Sequence, residues 1–255
     1  MRRLMYSKKD DTPLTREMLE MIPTPSPLGP RHRPYSFFEF VNKVIDKAQN
    51  IGMEITAEEY CVNKSQMQMF GTIGVTYEQG PDGDFEMVIG VRGSHDRTIP
   101  RGICIGSNVI VCSNLCFGGD LGTMKTKQTL NIEERLGEFI DSAIDAVPQA
   151  FNKLERDYDS MKGFTMPFEA GDHLLVDMYR KHMLSAAQLG VAAKEWEHPT
   201  YDAHDVYGNS AWKLLNACTE SLKPRGDNVN MFTVANRSNS IHNFVYNLVK
   251  EMGRV

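Results

Sequence analysis

A glycine-rich, cationic stretch between Val91 and Thr129 carries the residue types best suited to binding phosphate. Its positive charge comes from five side chains, which are Arg92, Arg97, Arg101, Lys125 and Lys127. Glycine lets the backbone come close to a ligand, and guanidinium and ammonium groups donate hydrogen bonds to phosphate oxygens. Apolar residues alternate along part of the stretch, as in half-buried strands, at Ile103, Ile105, Val109 and Val111. We therefore predict a hairpin whose ends and flanks carry cations.

Proteins that bind single-stranded nucleic acid add aromatic side chains, on which bases stack, to such a cationic groove. Tyr77 and Phe117 are the candidate stacking platforms closest to the stretch in sequence. Further candidates lie in the C-terminal half, at Tyr201, Tyr207 and Trp212. The competing interpretation is that the cations are ordinary surface charges and that the aromatic side chains belong to the core.

Other kinds of site have weaker support in the sequence. Cys112 and Cys116 have a spacing that zinc accepts, but no second ligand pair accompanies them, so Cys104, Cys112 and Cys116 are interpreted as buried strand cysteines. Three His/Asp/Glu-rich segments, at residues 172–173, 195–198 and 202–205, match no known catalytic spacing. Neither a nucleotide-binding P-loop nor a dinucleotide fingerprint is present. We predict no catalytic residue, metal or cofactor, and hence no enzyme; a metal-dependent nuclease is the weaker alternative.

Composition restricts the class of protein further. The formal net charge of −5 argues against a protein that coats duplex DNA by charge alone, although it allows a local basic groove. No apolar run is long enough to cross a bilayer, and the basic N-terminal segment lacks the apolar core of a secretory signal. The odd number of cysteines, five, in a chain of this size indicates a reduced compartment. We therefore expect a cytoplasmic protein with no membrane partner.

The pattern of elements predicts an α+β protein. Residues 1–34 form an extended, proline-rich arm, and residues 35–255 form a single α+β domain with a β-rich core over 53–129 and a helical part over 131–252. Ser36 and Glu39 make a capping box that opens an N-terminal helix. An antiparallel meander of four or five strands follows, and then a helical C-terminal half.

Finer expectations concern the arm and the helices. The arm is either a loosely packed tether or a segment that reaches a neighbouring subunit through Arg31, His32 and Arg33. Pro148 should kink or divide the first long helix of the C-terminal half. Three more helices are expected there, over 170–193, from the cap Asn209 to Pro224, and over 240–252.

Two segments carry a resemblance to a known family. The run Arg92-Gly-Ser-His-Asp96, then Pro100 and Gly102, and the strand Val109-Ile-Val-Cys-Ser-Asn-Leu-Cys-Phe-Gly118 resemble the signature of a family of uncharacterised phage/plasmid-like proteins. The helix Ser210–Glu220 and the pair Ile241-His242 are similar to the C-terminal part of that family. The family has no assigned activity, so this resemblance, over residues 85–250, implies an origin in a mobile element.

The order of elements carries a second resemblance. A helix, several antiparallel strands and a long helix are similar to the core of phage single-strand annealing proteins, and to the single-stranded-DNA-binding RNA polymerase cofactor of N4-related phages. No binding residue is carried over from either, because no motif matches position by position. The resulting hypothesis is a phage protein that binds single-stranded DNA in transcription, recombination or replication, as a homo-oligomer in the host cytoplasm, with a phage RNA polymerase as a candidate partner. The alternative is a protein-interaction module that antagonises a host system.

Overall fold

A computed structural model describes residues 14–77, 85–109, 115–117, 123–127, 131–223 and 231–253. Within these ranges the chain forms six strands: β1 (Glu54–Val62), β2 (Gln68–Thr76), β3 (Phe85–Ser94), β4 (Arg101–Val109), β5 (Leu115–Phe117) and β6 (Thr123–Thr126). The same ranges contain eight α-helices: α1 (Arg16–Glu20), α2 (Phe37–Asn50), α3 (Ile132–Asp145), α4 (Val147–Gly163), α5 (Phe168–Arg180), α6 (Ala186–Glu197), α7 (Ala211–Ser221) and α8 (Met231–Met252).

The strands form one sheet in the order β1-β2-β3-β4-β5, with β6 paired to β4. β1, β2 and β3 are antiparallel neighbours in sequence order, as a meander requires. A helix precedes the sheet and helices follow it, so the prediction of an α+β fold with an N-terminal helix, an antiparallel meander and a helical C-terminal half is confirmed.

The chain divides into two compact units, each with its own core. Of the described residues, the first unit takes 14–77, 86–106, 123–127 and 131–151, and the second takes 85, 107–109, 115–117, 152–223 and 231–253. The first core is built from α2, α3 and the inner face of the strands, and it centres on side chains such as Phe40, Ile73 and Leu136. The second core is helical and includes Tyr158, Trp196 and Trp212. The sequence suggested one domain after residue 34.

Local signals explain several helix boundaries. The Ser36 hydroxyl accepts a hydrogen bond from the backbone N–H of Glu39 at 3.3 Å, so α2 begins where the capping motif predicts. α3 ends at Asp145 and α4 starts at Val147, which places Pro148 in the first turn of a new helix, where its missing N–H costs nothing. The predicted division at Pro148 is confirmed.

Three other helix boundaries differ from the predictions. The single helix expected over 170–193 is two helices, because the chain turns at His182, whose φ is +59°, and restarts at the capping box of Ser185 with Gln188. Ser210, and not Asn209, caps α7, and its hydroxyl accepts from the N–H of Lys213 at 3.2 Å. α8 starts at Met231, nine residues before the predicted start at Ser240.

The proline-rich segment packs on the body of the first unit instead of extending away from it. Leu14 pairs with Tyr60 of β1 through two backbone hydrogen bonds of 2.9 and 3.2 Å. Leu19 of α1 is completely buried, and Ile22 and His32 are almost so. The arm is therefore part of the fold from residue 14 onward.

No described helix is both long and apolar enough to cross a membrane.

Candidate anion-binding site

A pocket of about 540 Å³ in the first unit lies between the arm, the loop that joins β3 to β4, and the end of β6. Its walls come from three separate segments of the chain: Gly29, Pro30, Arg31 and His32; Arg97, Ile99 and Pro100; and Lys127. No Asp or Glu is among these residues. The pocket is thus lined by three cations, an imidazole and apolar rings, a composition that suits an anion.

The β3–β4 loop is held in place by its own side chains. The Ser94 hydroxyl donates to the carbonyl of Ile99 at 3.0 Å and accepts from the Ile99 N–H at 2.9 Å. The Asp96 carboxylate accepts from the Thr98 N–H at 3.0 Å and from the Thr98 hydroxyl. Burial alone would raise the pKa of Asp96, but these hydrogen bonds bring it below its usual value. Hydrogen bonds therefore hold the loop on both sides of Arg97.

Arg97 itself has a left-handed backbone, with φ of +66°. A side chain in that region costs about 1–2 kcal/mol, so a residue other than glycine is retained there only where the structure around it imposes the conformation. The Arg97 side chain is exposed and makes no hydrogen bond or ion pair with a described residue. Backbone strain beneath an unpaired cation at a pocket is typical of a functional position.

Lys127 reaches the pocket through the pairing of β4 with β6. Arg101 lies opposite Thr126 in that antiparallel register, so Lys127 comes directly after the last pair, at the level of Pro100. Like Arg97, Lys127 and Arg31 are exposed and have no hydrogen bond or ion pair to any described residue. Three cations that have no carboxylate partner within the described ranges therefore meet at one pocket.

His32 contributes a buried imidazole to the same wall. The residue is 4% exposed, and its Nδ1 accepts a hydrogen bond from the Leu28 N–H at 3.0 Å. Because Nδ1 accepts, the proton of the neutral ring is on Nε2, which is buried and has no partner among the described residues.

The charge state of His32 follows from its surroundings. Burial lowers its pKa below the ordinary value, and the positive charges of Arg97 and Arg33 lower it further. The imidazole is therefore neutral at physiological pH. The effect of Arg97 on His32 also shows that the arm and the β3–β4 loop place their polar groups close to each other.

The five predicted cations do not form one ribbon. Arg97 and Lys127 line the pocket, whereas Arg92 is half-buried on β3 opposite Phe70, outside the pocket wall. The side chain of Lys125 lies outside what the structure describes. Arg101 is completely buried and cannot reach a ligand in the folded protein, so it is not retained in the site.

Arg101 contacts other residues of the fold and has a structural role. Its Nη2 donates to the carbonyl oxygen of Tyr35, and its guanidinium lies over the rings of Phe37 and Phe40, with 4.7 and 5.2 Å to the ring centroids. Burial lowers its pKa to about 9. Gly93 on β3 makes room for it, because a Cβ there would lie 2.5 Å from the Arg101 Cδ. Arg101 thus fastens the end of the arm to β4.

His95 completes this buried polar group. Its ring stacks on Phe37 at a centroid distance of 3.9 Å, and its Nε2 lies 3.0 Å from the Tyr35 carbonyl oxygen. Since that carbonyl can only accept, the neutral ring carries its proton on Nε2. Burial, with the charge of Arg101 as a second cause, lowers the pKa of His95 to about 4.

The predicted stacking platforms do not lie at the pocket as far as the structure describes them. Tyr77 is partly buried and packs against the first core, and the side chain of Phe117 lies outside the described residues. In the second unit Trp212 is buried, and Tyr201 and Tyr207 pack on the helical core under the ammonium groups of Lys223 and Lys162. The pocket therefore offers phosphate contacts without an evident aromatic surface for bases.

Two of the segments considered for metal chemistry, at 195–198 and 202–205, have other partners. The Lys213 ammonium donates to Asp205 at 2.6 Å, and Glu195 accepts from the Thr200 N–H at 2.9 Å. Burial lowers the pKa of His204 to about 4. Across the part of the chain that the structure describes, no three His, Cys, Asp or Glu side chains are grouped so that they could hold a metal ion. Cys104 is buried, whereas Cys112 and the side chain of Cys116 lie outside the described residues.

Sequence reasoning missed the arm's contribution to the pocket. The segment Arg31-His32-Arg33 is basic, but the sequence indicates only a loosely packed tether or, as the alternative, contact with a neighbouring subunit. Only the fold brings Arg31 and His32 beside a loop more than sixty positions away. No known protein family, characterised protein or solved structure matches this chain. What the protein does must therefore be argued from the pocket.

Proposed function

We propose that this protein binds a single-stranded nucleic acid, namely single-stranded DNA, and does not catalyse a reaction. In this proposal, the pocket between the arm and the β3–β4 loop holds a phosphate group of the strand. The observation that carries the proposal is the meeting of Arg31, Arg97 and Lys127, each without a described hydrogen-bond or ion-pair partner, at one pocket. Guanidinium and ammonium groups are usual donors to phosphate oxygens.

The shape of the pocket favours a flexible strand over a duplex. Its volume of about 540 Å³ is that of a small-molecule site, which admits a phosphate with its sugar but not the width of a double helix. The net charge of −5 adds no long-range attraction for duplex DNA. The apolar rings of Pro30 and Pro100 offer contact surface to a sugar.

The wider hypothesis is part of the same proposal. A mobile-element origin, a homo-oligomer and a phage RNA polymerase as partner come from the resemblance in sequence pattern and element order. These three expectations describe the setting in which the protein binds the strand. The pocket supports the ligand class alone.

The test is a salt titration of binding, followed by fluorescence anisotropy, with the same sequence as single strand and as duplex. If the pocket holds one phosphate, log Kd should change with log salt with a slope of about 0.7, the value for one neutralised phosphate of a single strand. Arg97→Asn should weaken binding by about tenfold or more, because asparagine accepts a left-handed backbone but carries no charge to bind the phosphate.

Lys64→Gln is the matched control, because Lys64 is an exposed cation of the first unit outside the pocket. This variant should keep the wild-type affinity. Equal affinity for single strand and duplex, or an unchanged affinity in Arg97→Asn, would contradict the proposal.

A further inference from the structure

The charges at the pocket are arranged for one phosphate group and not for a track of them. Arg31, Arg97, Lys127 and His32 surround a single space of small-molecule size. The two other predicted cations whose side chains are described do not extend it, because Arg92 lies outside the wall and Arg101 is buried. A protein that follows a strand along its backbone needs cations in a row, so that each meets a successive phosphate.

The positive charge at the pocket exceeds what an internal phosphate neutralises. A phosphodiester within a strand carries one negative charge and presents two unbridged oxygens. A terminal monoester carries about −1.5 to −2 at pH 7 and presents three acceptor oxygens. Three cations, with no carboxylate among the described residues of the wall, match the charge of the monoester better.

We propose that the pocket receives the terminal phosphate of a nucleic-acid strand, so that the protein binds strand ends in preference to internal phosphates. This inference rests on the proposed function, since it names which phosphate of a single strand the pocket takes. The recognised chemistry is a phosphate monoester joined to a sugar, with the sugar against the proline rings at 30 and 100.

The experiment compares short oligothymidylates of one sequence, labelled at an internal position, by fluorescence anisotropy. The probes end in hydroxyl groups at both ends, in a 5′-phosphate, or in a 3′-phosphate, and a fourth probe is the ligated circle. We expect one phosphorylated probe to bind about tenfold more tightly than the hydroxyl-ended probe, since one added charge-assisted hydrogen bond has about that effect. The circle should bind no better than the hydroxyl-ended probe.

Variants separate the pocket from general charge. Lys127→Gln and Arg31→Gln each remove one of the cations in the wall. Both should reduce the preference for the phosphorylated end to less than threefold. Lys64→Gln, outside the pocket, should leave it unchanged.

The outcomes of the two proposals differ. Tight binding of all four probes with equal affinity would overturn recognition of the strand end and leave single-strand binding standing. Absence of binding to every probe would overturn both. If thymidine 5′-monophosphate or inorganic phosphate competes as strongly as the phosphorylated strand, the pocket serves a small phosphorylated ligand, and the strand-end proposal is overturned.

Discussion

Arg97→Gly should stabilise the fold and weaken binding at the same time. Arg97 has φ of +66°, a region that costs a residue with a side chain about 1–2 kcal/mol and costs glycine nothing. About 0.4–1 kcal/mol of this gain is lost again, because glycine gives the unfolded chain more conformational entropy. The expected net gain is about 0.5–1 kcal/mol in the free energy of unfolding.

The loss of the guanidinium has the opposite effect on the ligand. The side chain makes no hydrogen bond or ion pair with a described residue, so its removal breaks no such interaction. A hydrogen bond to a charged group contributes about 1.5–3 kcal/mol, so affinity for single-stranded DNA should fall by about tenfold to a hundredfold. A gain in stability with a loss of function is the usual mark of a strained functional residue.

Urea denaturation followed by circular dichroism measures the first effect, as a higher midpoint at an unchanged m-value, and anisotropy measures the second. Gln66→Gly is the matched control, since Gln66 has φ of +57°, belongs to the same unit and lies outside the pocket wall. It should gain similar stability and bind as the wild type does. A destabilised Arg97→Gly protein, or an equal loss of binding in Gln66→Gly, would refute the reasoning.

Two further predictions concern buried polar side chains. Gly93→Ala should lower the free energy of unfolding by about 2–3 kcal/mol, because the new Cβ would lie 2.5 Å from the Arg101 Cδ; chemical denaturation measures this, and a neutral effect would show that Arg101 has room to move. The free energy of unfolding should also fall with acidification between about pH 6.5 and pH 4, because burial lowers the pKa of His95 and of His204 to about 4. In that range, the unfolded chain binds protons at these histidines and the folded chain does not. The expected slope is about 1.4 kcal/mol per pH unit for each histidine, and denaturation curves across that range that show no slope would contradict it.

The fold was predictable where the residue pattern reports burial directly. The capping motif at Ser36 and the apolar face of α2 are local signals, and so is the alternation along the strands. The missed break between α5 and α6 also had a local signal, because Ser185 and Gln188 have the spacing of a capping box, but the continuous apolar pattern concealed it.

The site was only partly predictable, and Arg101 shows why. A count of cations in a segment says nothing about the direction in which each side chain points. The strand period does give that direction, since Arg101 is in phase with Ile103 and Ile105, which are both buried. Applied to Arg101, the same alternation that predicted the strand would have placed its guanidinium in the core.

His32 illustrates the other limit. Its role depends on a turn in the arm and on a loop far along the chain, and neither segment contains a signal for the other. Contacts between distant segments are set by the packing of the whole unit, which a single sequence does not display. The sequence therefore indicated the chemistry of the pocket but not which residues assemble it.

Two buried side chains of the arm, Ile22 and His32, lie on either side of Leu28, which is 57% exposed. A protease would cut the segment between Ile22 and His32 at a rate set by how often the packing around His32 opens. Since a bound anion would keep that packing closed, the digestion rate of this segment should report what fraction of the protein carries ligand, with no label on either molecule.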